Sequence, residues 1–431
     1  MRAVIAAGGR GSRLASVSGE LPKAMVSICG VPIIERQINS LVTSGIDEIM
    51  ITVGYRADAI IERIGDGSRL GARVEYFKEE SPLGSAGALA SLKEWIETDF
   101  LLLLGDLVLD VDFTRFIKYH REKQARATLF VHPNSHPFDS DLVIIGESGN
   151  VTGWMSKRDT RPFSYRNIVN AGIYMLNRES IASLVKGESA DLERDIVLPA
   201  IADGRVFAYQ SSEYVKDAGT PERLALTQLE WERGIPEARN LSRRQHCVFL
   251  DRDGTLNKHR GFLTRAEEIE LERGAACGVA KLNASGCLVI VITNQPVLAR
   301  GECSAAELAR INARIETLLG EKGAYLDDLL FCPHHPDRGF EREVARLKID
   351  CECRKPKIGL LREAAARWNI ELRDSWFVGD TTTDIQTGIN ACCRTALLQT
   401  GECGLDGKYD VQPDLRCDDL EDFARVMAER W

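Results

Sequence analysis

Short apolar, β-branched runs alternate with amphipathic segments along this chain, and the alternation starts twice. Strands are expected at Ala3–Ala6, Glu48–Val53, Val74–Phe77, Phe100–Leu104 and Ala127–Val131, with helices at Ile33–Ser44 and Phe113–Arg121. From His246 the pattern begins again. Strand Cys247–Leu250 is followed by helix Ala275–Ala284, strand Leu288–Thr293, helix Ala305–Leu319 and strands at Asp328–Phe331 and Ser375–Val378. Strands that alternate with helices build a parallel sheet covered on both faces. The expected fold class is therefore α/β, as two doubly wound, mostly parallel-sheet domains. The junction falls in Glu230–Gln245, where Gly234 and Pro236 precede the charged run Arg239–Arg244. This gives domains at residues 1–232 and 246–431 and a linker at 233–245, a division that 431 residues accommodate at ordinary domain sizes.

Composition removes several function classes. Fifty-five basic residues against 64 acidic ones leave a net charge of −9, the wrong sign for a broad nucleic-acid-binding face. No apolar run approaches the roughly 18 residues of a membrane span. The apolar start Met1–Ala7 is too short for a signal peptide and runs straight into Gly8-Gly9-Arg10, so a cytoplasmic protein is expected. Neither nucleic acid nor membrane is expected as a partner, and a homo-oligomer is compatible with the sequence. Of 12 cysteines, only Cys29 precedes residue 247. A chain of this size without a leader is not a disulfide scaffold, so the late cysteines are core thiols, metal ligands or reactive groups.

The first strand is followed by Ala6-Ala7-Gly8-Gly9-Arg10-Gly11-Ser12-Arg13-Leu14. Gly8, Gly9 and Gly11 permit a tight turn whose N–H groups form an anion nest, and Arg10 and Arg13 add charged contacts to phosphate. Lys23, in Leu21-Pro22-Lys23-Ala24, is a second phosphate ligand or stabiliser of a leaving group. The spacing is neither the dinucleotide fingerprint nor the P-loop. Together with Pro82–Ala88, Gly105-Asp106 and Asp217-Ala218-Gly219-Thr220-Pro221-Glu222, in that order, these segments resemble the sugar-1-phosphate nucleotidyltransferases. The resemblance implies a Rossmann-like domain that joins a sugar 1-phosphate to a nucleoside triphosphate and releases pyrophosphate. It further implies that Asp106 and Asp217 hold Mg²⁺, that Arg13 and Lys23 grip phosphates, and that Gly87 lies near the base. Asn170, in Asn170-Ala171-Gly172, and Lys157 match sugar-contacting positions. Ser156 stands where the family often carries Glu before that lysine.

In the second half, Asp251-Arg252-Asp253-Gly254-Thr255 ends an apolar strand. Two carboxylates two residues apart suit a nucleophile, Asp251, and a general acid/base, Asp253. Thr293 and Asn294 end the next strand with hydroxyl and amide donors, and Asp380 and Asp384 follow a later one with carboxylates for Mg²⁺. Cys332-Pro333-His334-His335 and Cys351-Glu352-Cys353 offer three sulfurs and one imidazole, a closed tetrahedral zinc set that would staple the polar segment Asp337–Asp350. The spacing leaves His334 and His335 open as the fourth ligand.

The four strand-end motifs resemble the haloacid-dehalogenase (HAD) phosphatases. The cysteine-histidine loop is similar to that of the heptose 1,7-bisphosphate 7-phosphatases, and much of it is shared with histidinol-phosphate phosphatases. The resemblance implies His334 as the zinc ligand and Thr293 and Lys355 as phosphoryl ligands. It implies Mg²⁺ on Asp251, Asp253 and Asp380, with Asp384 as an outer or helix-turn residue and Arg354 turned toward substrate. Pro296-Val297 replaces the family's Ser-Gly, and Thr381 stands where a lysine is common.

The two resemblances fit consecutive steps. A heptose 1,7-bisphosphate would lose its 7-phosphate, and the heptose 1-phosphate would then be activated by a nucleoside triphosphate. GTP is favoured because the first half most resembles heptose 1-phosphate guanylyltransferases. The residues alone leave ATP, CTP, UTP and dTTP open. The competing reading pairs a hexose-1-phosphate nucleotidyltransferase with a phosphatase for another sugar phosphate or histidinol phosphate.

Overall fold

The computed structural model describes residues 1–9 and 21–428. Arg10, Gly11 and Arg13, three expected phosphate contacts, lie outside the described residues. The chain divides into two compact units. The first holds Met1–His132, Val143–Met155 and Asn170–Asn240, and the second holds Pro133–Leu142, Ser156–Val169 and Leu241–Trp431.

In the first unit, strands Arg2–Ala7, Glu48–Val53, Arg73–Lys78 and Phe100–Leu104 pair in parallel. By chain order they lie 3-2-1-4, so Arg2–Ala7 is flanked by the second strand and the fourth. Strand Val169–Leu176 then adds to Phe100–Leu104 in the antiparallel sense, which makes the sheet parallel-dominated rather than uniformly parallel. Ala3, Ile5 and Ala7 alternate onto one face with Ile49, Ile51, Leu101 and Leu103, as the two-residue period requires. Helix Ile33–Thr43 covers that face with Ile34, Ile38 and Leu41. A separate two-stranded ladder joins Leu107–Asp110 to Tyr214–Asp217.

The second unit carries six strands, all paired in parallel. The order is Asp328–Cys332, Leu288–Asn294, Cys247–Leu250, Trp376–Gly379, Arg394–Leu398, Leu415–Cys417, which is 3-2-1-4-5-6 by chain position. Val248, Leu250, Val289 and Val291 pack on one face with helices Ala275–Ala284, Ala305–Gly320 and Leu420–Ala428. Phe249, Ile290, Ile292 and Phe377 pack on the other with helix Gly359–Trp368. Burial on both faces explains why these strands read as unbroken apolar runs.

Both sheets therefore reverse their winding beside the first strand. Open α/β sheets bind ligands at such a switch point, beyond the carboxyl ends of the strands. Gly8 and Asp106 follow strands one and four of the first sheet, and Asp251 and Asp380 follow strands one and four of the second.

Two candidate active sites and a metal staple

The first site is a cavity of about 420 Å³ lined by Gly8, Gly9, Lys23, Thr52, Glu79, Leu83, Ser85, Gly105, Asp106 and Gly219, among others. The Leu107–Asp110 ladder brings its two distant carboxylates together. Asp217 pairs with Leu107, the residue after Asp106, so positions 111 residues apart in sequence become neighbours (217 − 106). The Lys23 ammonium contacts Asp106 and lies 3.0 Å from Asp217 Oδ1. Arg223 reaches Asp217 Oδ2 at 3.2 Å from helix Pro221–Glu232, which Thr220 caps. Gly219 passes so close that a Cβ there would lie 2.7 Å from Asp217 Oδ1. Gln37 fixes the loop from below. It is fully buried, and its Nε2 donates to the carbonyls of Leu104 at 2.9 Å and Leu107 at 2.8 Å, on either side of Asp106. Sequence reasoning missed Gln37, since a lone glutamine on a helix carries no motif.

The structure leaves other expected residues outside this cavity lining. Gly87 opens a short helix where a Cβ would lie 2.6 Å from the Glu188 carbonyl, a packing demand beside the cavity-lining Ala88. Asn170 donates to the Tyr174 hydroxyl at 2.6 Å. Lys157 belongs to the second compact unit, with its ammonium 3.9 Å from Asp141.

In the second site, the carboxylates of Asp251, Asp380 and Asp384 converge within 4.8 Å of one another. Lys355 lies against them, 2.8 Å from Asp251 Oδ1 and 2.6 Å from Asp384 Oδ1. That Asp251 oxygen has the ammonium's charge beside it but no aligned hydrogen-bond donor. Burial, with Asp384 and Asp253 nearby, pushes Asp251 up to about 6. Burial, with Asp384 and Asp251, pushes Asp380 up to about 8. Burial opposes the Lys355 charge, but Asp251 and Asp384 outweigh it and hold that lysine above its ordinary value. Asp380 is fully buried, with Thr255 Oγ1 at 3.3 Å and the Glu402 N–H at 2.8 Å. Gly254, at φ +87, is required: a Cβ there would meet Asp380 Oδ2 at 2.2 Å.

Asp253, expected among the metal ligands, is not in this carboxylate cluster. Arg252 holds it at 2.9 Å, Gln295 at 2.8 Å and Asn257 at 3.0 Å. Burial alone would raise it, but Arg252 and these amides keep it below the ordinary carboxylate value. Asp384, expected at the margin, does two things. One oxygen accepts from Thr381 Oγ1 at 2.6 Å in a capping box that starts helix Thr382–Asn390, and the other faces Lys355. Thr293 is buried and accepts from Gln295 at 3.0 Å. Asn294 clips the Lys355 backbone, accepting from its N–H at 3.0 Å and donating to its carbonyl at 3.2 Å.

Beside this site, Cys332, His334, Cys351 and Cys353 present ligand atoms within 4.8 Å of one another. Neighbouring sulfur and Nδ1 atoms are 3.2–3.8 Å apart. Those are the edge lengths of a tetrahedron with arms of about 2.0–2.3 Å, and far exceed the roughly 2.05 Å of a disulfide. The geometry therefore selects His334 over His335 and fits a metal ion. The segment between these residues also has contacts of its own. The Val344 N–H donates to the Ala299 carbonyl at 2.9 Å, and Phe340 is flanked by Arg300 and Lys348, 4.6 Å and 4.4 Å from its ring centre. Arg354 donates to the His334 carbonyl at 3.1 Å. Burial, followed by Arg354 and Arg300, lowers the pKa of His335. Phe340 and Lys348 were not foreseen, because nothing in their spacing marks a cluster with Arg300.

Comparison with known proteins agrees with both halves. The nucleotidyl transferase family model matches residues 2–232 and a HAD-hydrolase-like model matches residues 352–423. Mannose-1-phosphate guanylyltransferase of Mycobacterium tuberculosis is 28% identical over 236 residues, 54% of this chain; the match spans 65% of that enzyme's length. D-glycero-beta-D-manno-heptose-1,7-bisphosphate 7-phosphatase of Yersinia pestis is 31% identical over 186 residues, 43% of this chain and 96% of that enzyme. The crystal structure of HddC from Yersinia pseudotuberculosis is 27% identical, covers 53% of this chain and 99% of its own, and superposes with a TM-score of 0.47. The chain thus belongs to the nucleotidyl transferase family through its first half and to the heptose-1,7-bisphosphate 7-phosphatases through its second.

Proposed function

We propose that this chain is a bifunctional enzyme that removes the 7-phosphate of D-glycero-D-manno-heptose 1,7-bisphosphate and transfers GMP from GTP to the resulting heptose 1-phosphate. The observation that carries the reading is the pair of acidic switch-point sites, each followed by the parts its chemistry needs. The substrate assignment is supported by the matched relatives, and the alternative of a hexose 1-phosphate with another sugar phosphate rests on the same sites.

In the second unit, Asp251 is placed to attack the phosphorus of the 7-phosphate. The Asp251 oxygen–phosphorus bond forms, the bond from phosphorus to the sugar oxygen breaks, and Asp253 gives that oxygen a proton. Asp253 then takes a proton from water as the water oxygen attacks the aspartyl phosphate, which returns Asp251 and releases phosphate. Arg252 suits the second half by keeping Asp253 a base, and an incoming phosphate dianion raises it for the first. Lys355 and Thr293 would hold the phosphoryl oxygens, with Asn294 fixing the Lys355 backbone. Arg354, with Arg300 and Lys348, supplies positive charge for the phosphate that stays. Asp251, Asp380 and Asp384 form an all-oxygen donor set that fits Mg²⁺, whose charge would offset that of the transferring phosphoryl group.

In the first unit, Gly8 and Gly9 offer backbone N–H groups to phosphate, Lys23 steadies the departing pyrophosphate, and a sugar 1-phosphate oxygen attacks the α-phosphorus. Lys23 already marks the point on which Asp106 and Asp217 converge, so these carboxylates fit Mg²⁺, which would neutralise the meeting polyanions. The cysteine-histidine staple fits a structural zinc ion with no open position.

Two results are expected. Asp106→Ala should lower pyrophosphate release at least about 100-fold, with phosphate release from the bisphosphate as the folding control; pyrophosphate release that persists overturns the assignment of Asp106. Mg²⁺ should bind the phosphatase site more tightly as pH rises from 6 to 8. Asp251 and Asp380 sit above the ordinary carboxylate value, so without metal the folded state holds extra protons and loses stability as pH rises through that window. The thermal shift produced by Mg²⁺ should then be larger at pH 8 than at pH 6, and an equal shift would contradict this account.

A further inference from the structure

Resting on the phosphatase reading above, we propose that helix Ala305–Gly320 positions the general acid Asp253 through Asn312 and Arg252, and that residues 163–167, from the first half of the chain, hold that helix in place. Arg252 is only 1% exposed. Its Nη2 donates to Asp253 Oδ2 and to Gln295 Oε1, each at 2.9 Å, and its Nη1 donates to Asn312 Oδ1 at 3.1 Å. A guanidinium is a rigid planar fork. Fixing Nη1 therefore fixes the plane, and with it the edge turned toward Asp253. Asn312 is buried and comes from helix Ala305–Gly320, outside the four strand-end motifs.

That helix is buried on two sides. Ile311, Ile315 and Leu319 join the core on one face of the sheet. A helix that covers a sheet ordinarily leaves its other side to water, yet here Asn312, Glu316, Thr317 and Gly320 are buried as well. Asn312 and Glu316 are one turn apart and share a stripe. Glu316 accepts the Asn167 N–H at 2.7 Å, and Thr317 Oγ1 accepts the Tyr165 N–H at 2.9 Å. Arg314 donates to the Phe163 carbonyl at 2.9 Å and lies 4.1 Å from the centre of its ring. A Cβ on Gly320 would lie 2.5 Å from Pro137 Cγ. All these residues belong to the second compact unit. A helix that turned or slid would leave the buried Tyr165 and Asn167 N–H groups unpaired, which is costly. The docked stretch thus fixes the turn next to Asn312. Asp253 must reach the leaving oxygen to give it a proton as the phosphorus–oxygen bond breaks. A sugar alkoxide needs that proton, whereas 4-nitrophenolate is a weak base and departs without it.

The test measures kcat/KM, which covers the steps through departure of the leaving group, for heptose 1,7-bisphosphate and for 4-nitrophenyl phosphate in the full-length chain with Mg²⁺. Asn312→Ala should lower the bisphosphate value about 10–100-fold, the scale on which a misplaced acid loses its effect, and the 4-nitrophenyl phosphate value by less than about threefold. Turnover of 4-nitrophenyl phosphate also reports that the variant is folded. Asn312→Asp keeps the acceptor oxygen and should restore the bisphosphate value to within about threefold of wild type. Glu316→Ala combined with Thr317→Val should show the same split, at about 3–10-fold. Equal losses on the two substrates in Asn312→Ala, no loss on either, or a failure of Asn312→Asp to restore the bisphosphate value overturns the assignment of Asn312. A split in Asn312→Ala that is absent from the Glu316–Thr317 double variant overturns the role of the docked stretch. Wild type that releases no phosphate from heptose 1,7-bisphosphate overturns the phosphatase reading itself, a distinct result.

Discussion

Asp251→Asn is expected to lower phosphate release from heptose 1,7-bisphosphate by at least about 10⁴-fold, the scale on which a covalent nucleophile is lost. An amide oxygen is a poor nucleophile, and Asn also removes a negative charge from the Lys355 contact. The substitution is nearly isosteric, and it relieves the crowding of negative charge around Asp251 and Asp380, which burial and neighbouring carboxylates otherwise push up. The folded protein should therefore survive, and pyrophosphate release from GTP and heptose 1-phosphate should continue. Phosphate release within about tenfold of wild type would mean that Asp251 is not the nucleophile.

The second large effect concerns the staple. Cys351→Ser combined with Cys353→Ser removes two of four ligands whose spacing fits a tetrahedral ion. A structural zinc site contributes about 10–16 kcal/mol of apparent binding free energy in small domains. Losing a third of that should lower the unfolding temperature of the phosphatase domain by about 10 °C, at about 2–4 °C per kcal/mol. Arg354 and Lys355 directly follow Cys353, so phosphatase activity should fall with metal content. Segment Asp337–Asp350 retains its contacts to Ala299, and Phe340 retains Arg300 and Lys348, so local rather than global unfolding is expected. Zinc content unchanged in the double variant, measured by elemental analysis, would show that these cysteines are ordinary thiols.

Much of this was legible in the sequence, for definite reasons. A parallel strand buried on both faces announces itself as an apolar run, so Glu48–Val53, Phe100–Leu104 and Cys247–Leu250 were readable to the residue. Residues that follow such runs, such as Asp106 and Asp251, lie at the carboxyl ends of strands, where ligands bind. The cysteine spacing likewise announces a site, and geometry then chose between His334 and His335. Antiparallel additions were less visible. Tyr214–Asp217 gains its partner from a stretch more than 100 residues away, and no local pattern encodes that pairing. Gln37 and Lys348 matter through what they touch, and neither belongs to a motif. The spacing of Asp384 shows its helix-turn role, which the capping box matches, but not the Lys355 contact made by its other oxygen. Sugar contacts at Lys157 and Asn170 rested on resemblance, and neither residue is among those lining the first cavity.

Two consecutive reactions on one chain would leave a distinct set of products. The direct measurement incubates the protein with heptose 1,7-bisphosphate, GTP and Mg²⁺ and identifies the products by mass. Phosphate, pyrophosphate and a GDP-heptose that carries no second phosphate are expected. Asp251→Asn should make no GDP-heptose from the bisphosphate but still make it from heptose 1-phosphate. A wild-type protein that yields no nucleotide sugar from either substrate, or an Asp251→Asn variant that yields it equally from both, would contradict two consecutive reactions.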